Sequence, residues 1–484
     1  MAVLSSDLIR QGAAGASTGY TIEQSIRFNA AADSYMSRTV GSGGNTQTWT
    51  WSCWFKNGLI GSMRGASIFL WSCHQSDGNR LQLSMDSGTL GNAGDFLSLY
   101  DGASASTIFR TTRKFRDVSA WYHLVLVADT TNAVSTQRFR IYINGERDTN
   151  FSTINYPSVN ANLGWNQNGS TYYLADYFST HNGTYSFDGY MAEINHVDGT
   201  AYGPEYFGEN DENGIWIPKQ YTESYGTKGF FIDGRDSSDL GDDESGQGND
   251  FTTSGLAAND QRTDTPTNNM ITFNPLNNQR SGGNPQQGNL LYDGPGTRTI
   301  ISLTANIPPT GKWAVAFSVA AVSTNVGWQF GVTKSSNSNF GDAAGSNEDV
   351  GGQDNDGVQM SPSSSDLQLY DYINSASIDP SLPLATADEF WLAVDMATGK
   401  CFLGIYDASA TAMKFVAADT GLDGNPATGD NPTTTISAMI GSNDYTFAVG
   451  SKDTSNDITL LRSTEISGTT PTGYTYFENV KDLI

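Results

Sequence analysis

The chain has 484 residues, with 51 Asp and Glu against 26 Lys and Arg and a formal charge of −25. That balance excludes nucleic acid and anionic membrane surfaces as direct partners. With 52 Gly, 11% aromatic and only 16% charged residues, and with Lys and Glu scarce, the composition points to an all-β protein of many short strands joined by Gly/Asn/Ser turns. The length allows roughly two to four domains.

Residues 1–24, "MAVLSSDLIRQGAAGASTGYTIEQ", have a brief apolar start followed by small residues and read as a docking arm. No charged-then-apolar leader opens them, so no secretory signal is expected. From Ser25 strands follow at near-regular spacing: "SIRFN", "WTWSCWFK", "SIFLWSC", "RLQLSM" and "FLSLY". In "WTWSCWF", Trp49, Trp51, Cys53 and Phe55 share one face. In "WYHLVLV", Val125 and Val127 point one way and Tyr122, Leu124 and Leu126 the other, so this strand is expected to be covered on both sides. In "RFRIYINGE", Phe139, Ile141 and Ile143 alternate with Arg140, Tyr142 and Asn144, and Asn144-Gly145 supplies a type I′ turn. "YYLADYFS" and "YSFDGYMAEINHVDG" complete this first region, residues 25–208. In the latter, Tyr190, Ala192, Ile194 and His196 alternate with Met191, Glu193 and Asn195.

Residues 209–270 shift to Asp, Gly, Ser and Thr, as in "DGRDSSDLGDDESGQGNDF". They read as a long acidic connector with short strands of its own such as "GFFID". Strands resume over 271–484. "GKWAVAFSV" alternates Trp313, Val315, Phe317 and Val319 with smaller residues, and Ala397-Thr398-Gly399-Lys400 makes a hairpin turn. The longest apolar run, "AVAFSVAAV" from Ala314, is far too short to span a bilayer, so no membrane insertion is expected. Cys53, Cys73 and Cys401 are odd in number and sparse, which argues for free thiols matured in a reducing compartment.

"WYHLVLV" followed by "RFRIYINGE" resembles the laminin-G-like and pentraxin-like branch of the concanavalin-type jelly rolls, with their Trp-His-His-Val-Ala and Leu-Tyr-Val-Asp-Gly strands. "FDGYMAEINHVDG" is similar to the family's Phe-x-Gly-x-Ile-Asp-Glu-Val strand through Phe187, Gly189 and Glu193, with Ala192 where Asp is common. "GKWAVAFSV", "GWQFGV" and "DEFWLAVDMATGKCFLGIYD" resemble the SPRY-like variant of the two-sheet fold, although Ala316 and Phe317 depart from its first motif. These resemblances imply two tandem concanavalin-like jelly-roll β-sandwiches. The whole layout, including the opening segment and the acidic stretch, resembles virion structural proteins of tailed bacteriophages.

Three constellations bear on chemistry. Laminarinase-type relatives carry Glu-x-Asp-x-(x)-Glu on one strand, setting two carboxylates a short distance apart. No strand here has it, and "GENDENG" from Gly208 clusters its acids in a turn-rich loop. His74, His123, His181 and His196 lack metal-ligand spacing, and His123 reads as a hydrogen-bonded core residue. No G-x-S-x-G, P-loop or C-x-x-C appears, so no enzyme and no cofactor are expected. Asp236, Asp239, Asp242, Asp243, Glu244 and Asp250 lie within one Gly-rich loop, the kind of oxygen set that Ca²⁺ takes. Their spacing is not that of an EF-hand, and a solvated acidic linker is the competing reading. Finally, Trp165, Tyr172, Tyr173, Tyr177 and Tyr185 sit beside Asn166, Gln167, Asn168, His181 and Asn182. Aromatic faces with amide hydrogen bonds make sugar sites, and the alternative for such residues is intersubunit packing.

The expectation is therefore a non-enzymatic phage virion protein, a tail fibre or appendage for host attachment. It would dock on other virion proteins through its N-terminal arm, form a homo-oligomer (a trimer, by analogy with phage appendages) and contact a host-surface glycan. The alternatives are a capsid decoration or head fibre protein, and a carbohydrate-active enzyme.

Overall fold

The computed structural model describes residues 19–483 apart from 62–66, 87–94, 180, 278–284, 294–298, 321–326, 337–349, 351–355, 364–365, 381, 383, 385–387 and 452–456. The chain divides into two units, one ending at Asn269 and the other beginning at Met270. Among the described residues there is no α-helix, and no helix is long and apolar enough to cross a membrane.

The first unit is a sandwich of two antiparallel sheets, with strands numbered β1 to β18 along the chain. The first sheet contains β1 (Ser25–Phe28), β3 (Thr48–Asn57), β8 (Trp121–Asp129), β9 (Phe139–Ile143), β10 (Glu146–Arg147), β13 (Gly189–Asp198), β16 (Phe230–Ile232) and β18 (Gln261–Arg262). Its order is β10-β9-β8-β3-β13-β1-β18, with β16 beside β13. The second contains β2 (Tyr35–Thr39), β4 (Ile68–Ser76), β5 (Asn79–Asp86), β6 (Phe96–Asp101), β7 (Ser106–Thr111), β11 (Phe151–Ile154), β12 (Thr171–Leu174) and β17 (Thr252–Ser254). Its order is β11-β7-β6-β5-β4-β12-β2-β17. A hairpin of β14 (Gly208–Asn210) and β15 (Trp216–Pro218) stands beside these sheets as a pair of its own.

Period-two alternation decides what goes between the sheets. Trp49, Trp51, Cys53 and Phe55 of β3 and Leu124 and Leu126 of β8 meet Trp71, Cys73, Leu81 and Leu83 in one buried cluster. The opposite face of β8 is covered as well, with Val125 and Val127 under Phe207, Tyr221 and Tyr225. The Asn144-Gly145 turn has φ of 49° and 79°, the two positive values that a I′ turn needs. His123 is buried and stacks on Trp54 at 4.6 Å. The Trp216 indole N–H donates to its Nδ1 at 3.0 Å, so Nε2 carries the proton toward Ser52 Oγ at 2.9 Å. Burial pushes its pKa down to about 3, and the ring stays neutral.

Two expectations change. The alternation along β13 breaks at Glu193, whose φ is +50° and where the register against β3 shifts. Met191 and Ile194 therefore both face the inter-sheet core, while Tyr190 and Ala192 pack on the other side. A bulge inserts one residue and reverses the alternation beyond it.

The acidic stretch expected as a linker over 209–270 belongs, up to Asn269, to the first unit. It supplies β16, β17 and β18, and its Phe230, Ile232, Leu240 and Phe251 enter the core. Its aspartates neutralise buried cations. Asp260 pairs with Arg27 at 2.8 Å and Asp264 with Lys56 at 2.9 Å. Composition hid this because a few apolar residues anchor an otherwise polar segment.

The proposed arm of residues 1–24 lies outside the described residues up to residue 18. The part that follows packs on the first unit: Ile22 is buried with Trp54, Trp121 and Tyr190, and it exchanges backbone hydrogen bonds with Thr267 Oγ1.

The second unit is also a two-sheet sandwich. One sheet centres on Lys312–Val319, Glu389–Asp395 and Lys400–Asp407. The other runs in the order Thr299–Ser302, Tyr445–Ser451, Gln329–Lys334, Val358–Ser363, Asp366–Asp371, Ala376–Ile378. Val315, Phe317 and Val319 face its core with Phe330 and Leu392, and the hairpin turn has Gly399 at φ +71°. Cys53, Cys73 and Cys401 are all buried and free.

Candidate functional site

Alternation on β12 separates neighbouring tyrosines. Tyr172 points between the sheets and is fully buried, and Trp165 is buried with it. Their rings stack at 4.5 Å, Trp165 Nε1 lies 3.2 Å from His196 Nε2, and the Tyr172 hydroxyl donates to Asn166 Oδ1. Neither can meet a ligand from solvent. A composition window places them with the loop aromatics because it ignores strand direction. Tyr173, Tyr177 and Tyr185 are half-buried and belong to the outer face of the second sheet.

That face carries a trough. Outward positions alternate with the core leucines of β5 and β6, giving Arg80, Gln82 and Ser84 on β5 and Phe96, Ser98 and Tyr100 on β6. Cross-strand pairs Phe69–Ser84, Ser84–Ser98 and Ser98–Arg110 run across the sheet, a span of about 14 Å at ~4.8 Å per strand. The parallel row is Tyr173–Ser72, Ser72–Gln82 and Gln82–Tyr100. Small residues thus lie between two aromatic walls.

On one wall the segment after β12 folds back over the sheet. Tyr177 meets Phe69 at 4.7 Å and Phe178 at 4.4 Å, and Phe178 stacks on His74 at 3.8 Å. Tyr185 joins Tyr177 at 5.4 Å. On the other side two guanidinium groups lie over β6 rings, Arg80 over Tyr100 and Arg110 over Phe96, each at 5.2 Å, and Arg80 also lies 5.8 Å from the Phe178 ring, so it bridges the two aromatic groups at that end. Gln82, 7% exposed, lies on the floor, and its Nε2 has no hydrogen-bond partner among the described residues.

Beside the first wall, His181 stacks on Tyr35 at 4.7 Å and on Tyr173 at 5.1 Å. Its Nδ1 is 2.6 Å from Asp176 Oδ2, and Ser186 Oγ holds the other carboxylate oxygen at 3.0 Å. A carboxylate on Nδ1 orients the imidazole and leaves Nε2 outward. Phe69, His74, Phe178 and the β5 and β6 residues were not singled out from the sequence. The signal was there in "RLQLSM" and "FLSLY", where every residue opposite a core Leu faces outward.

The proposed metal loop does not converge. Asp236 caps Ser238, and Asp239 accepts the Gly241 N–H. Asp243 accepts N–H groups of Phe231, Ser245 and Asn249, and Asp250 accepts that of Asp243. Asp242 and Glu244 are exposed. The nearby Asp233 carboxylate holds the Glu244 carboxyl above its ordinary value. Among the described residues no three His, Cys, Asp or Glu are grouped to hold a metal ion. Each bonded carboxylate serves a turn, as Asp in Gly/Ser-rich loops commonly does.

The β13 bulge buries the Glu193 carboxyl, which accepts the Tyr20 hydroxyl at 2.8 Å. Burial, with Asp233 adding to it, raises its pKa to about 7. Asp233 is held in turn by Arg235 Nε at 2.7 Å. A carboxyl near neutrality suits a general acid, but this one is 8% exposed and its hydrogen bond ties it to the segment packed at Tyr20.

Residues 30–201 match the model of the concanavalin A-like lectin/glucanases superfamily, and this span holds both walls of the trough. The first unit is a concanavalin-like jelly roll. No curated protein is significantly similar in sequence. Among solved structures, the chain is similar to a candidate carbohydrate-binding protein from Bacteroides ovatus at 17% identity and TM-score 0.33, covering 48% of this chain and 58% of that one. It is similar to the TRIM65 PSpry domain at 13% identity and TM-score 0.28, covering 40% and 92%. It is also similar to domains LG4-5 of the mouse laminin alpha1 chain at 8% identity and TM-score 0.28, covering 96% and 89%. At these values none of them carries an activity to this chain.

Proposed function

We propose that the first unit is a non-catalytic glycan-binding module and that the trough on its second sheet is the binding face. The observation that carries this is the aromatic wall of Phe69, Tyr177 and Phe178 on the outer face of the second sheet, with the half-buried Ser84 beside it. Ring faces stack on the apolar faces of sugars, and neighbouring polar side chains take up their hydroxyl groups. The superfamily match over 30–201 supports the same reading. Changing Tyr173 and Tyr177 to Ala should abolish retention on an array of bacterial polysaccharides while the melting temperature stays put. An unchanged array profile would remove the trough from the reading.

The module's setting follows from the layout of the sequence. Its resemblance to tailed-phage virion proteins supports a tail fibre or appendage for host attachment, in a homo-oligomer and mounted through the N-terminal segment. Gold labelling of purified particles tests this, since label on the head would favour a capsid decoration or head fibre protein and no label would refute a virion role. Light scattering tests the trimer. The rival enzyme reading would put Glu193 to work as an acid, and a reducing-sugar release assay on the retained polysaccharide decides against it if no sugar ends appear.

A further inference from the structure

The turn that closes the first unit brings three buried side chains together. Thr265 and Asn268 exchange backbone hydrogen bonds across Pro266-Thr267, at 3.3 and 3.0 Å, and Pro suits the second position of such a turn. Asp264 and Asn269 are the next pair outward. Residues opposite each other in an antiparallel pair point to the same side, and both of these reach Lys56 on the central strand β3. Lys56 Nζ donates to Asp264 Oδ2 and to Asn269 Oδ1, each at 2.9 Å. The far side of each partner is fixed as well. Asp264 Oδ1 accepts the Trp121 indole N–H at 3.0 Å, and Asn269 Nδ2 donates to the Ser119 carbonyl at 2.7 Å. Ser25 Oγ on the Asp264 carbonyl and Thr267 Oγ1 on that of Ile22 pin the turn itself.

The group is dry. Lys56 is 1%, Asp264 2% and Asn269 3% exposed. Trp54, Trp121 and Tyr190 cover this face of β3, and Nζ lies 5.9 Å from the centre of the Tyr190 ring. Taking both ions of a pair out of water is costly, and a proton passed from Lys56 to Asp264 along their hydrogen bond removes both charges. A desolvated lysine amine is a nucleophile. The Asn269 Cγ is one C=O bond beyond Oδ1, so it lies no more than about 4.1 Å from Nζ. Held reactants of this kind gain most of their rate from position.

We propose that Lys56 and Asn269 join in an intramolecular isopeptide bond, with Asp264 carrying the protons. Lys56 gives one proton to Asp264, and Nζ attacks Cγ to form the new C–N bond. Asp264 hands its proton to Nδ2 and takes the second proton that Nζ loses. The Cγ–Nδ2 bond then breaks, ammonia leaves, and the carboxyl ends protonated. No oxidant, metal or other reactant is consumed. The bond links residues 213 apart. It ties the last residue of the first unit to β3, which lies between β8 and β13. Without it the exit hangs on β18, a two-residue edge strand paired with β1, and on the side-chain hydrogen bonds above. A pull on the chain between the two units is then borne by a covalent bond to a central strand instead of an edge.

The test is the mass of the full chain, purified in its folded form and then denatured. Loss of ammonia should take about 17 Da from the encoded mass. A tryptic digest should hold Lys56 and Asn269 in one branched peptide, uncut after Lys56. Asn269→Ala keeps the Lys56–Asp264 pair and should show the full mass and two linear peptides. Asp264→Asn keeps an acceptor for Trp121 and should leave nearly all chains unjoined at the same age, since proton transfer supplies about 100-fold or more in rate. Wild-type protein that stays at full mass with only linear peptides after an overnight incubation would overturn the inference. So would the same mass loss in Asn269→Ala, because an Asn-Gly succinimide, as at Asn213-Gly214, also releases ammonia. Asp264→Asn joined as completely as the wild type would overturn the role given to Asp264. The branched peptide is read on the wild type, so it decides the matter even where a variant fails to fold.

Discussion

Glu193→Gln should stabilise the first unit in a pH-dependent way. Glu193 sits on the β13 bulge with its carboxyl buried against Tyr20, and burial raises its pKa from 4.5 to about 7. A carboxyl that holds its proton more tightly folded than unfolded contributes full stability below about pH 4.5. That contribution is lost as pH rises through about 7. The shift corresponds to about 3 kcal/mol at ~1.36 kcal/mol per unit, and the residue is 8% exposed, so solvent screening takes little from it. Glutamine keeps an oxygen to accept the Tyr20 hydroxyl and has no charge to bury. In urea titrations the variant should match the wild type near pH 4.5, pull ahead between 5 and 7, and lead by up to about 3 kcal/mol at pH 8. The wild-type-minus-variant difference isolates this group from every other carboxyl that titrates over the same range. A gap that is flat from pH 4.5 to 8, or a variant less stable at pH 8, would refute the argument that the bulge holds an uncompensated buried carboxyl.

Lys56→Met should cost about 3–5 kcal/mol, since it leaves Asp264 buried without its cation; urea unfolding reads it, and a neutral result would mean the 2.9 Å pair is not isolated from water. Gly145→Ala forces a side chain to φ +79° and into the Trp216 ring, and a thermal melt should show a loss of about 1–3 kcal/mol. Thiol titration after denaturation without reductant should find free thiols at Cys53, Cys73 and Cys401, and a count of one would contradict their separate burial. EDTA should leave the melting of either unit unchanged, because the acidic-loop carboxylates bond to backbone and do not converge; a fall of several degrees would reveal a site.

The alternating strands were readable from the sequence because side-chain direction in a strand repeats every two residues. Trp49 to Phe55, the two-sided cover of β8, and Asn144-Gly145 all follow from that local rule. So did the all-β class, which rests on composition and turn residues. What lay beyond it depends on partners distant in sequence. The face a residue occupies after a bulge depends on one irregular residue, so the alternation from Tyr190 to His196 failed at Glu193. Whether an acidic stretch is a linker or a set of edge strands depends on where Phe230, Phe251, Asp260 and Asp264 find cover and counter-charge, more than 200 residues away in the cases of Arg27 and Lys56. The aromatic segment "YYLADYFS" announced a site but not its members. Tyr172 went inward with Trp165 while Tyr173 and Tyr177 stayed out. The opposite side came from strands about 70 to 100 residues earlier, brought alongside only because antiparallel pairing sets β12 on one edge of β4 and β5, β6 and β7 in turn on the other.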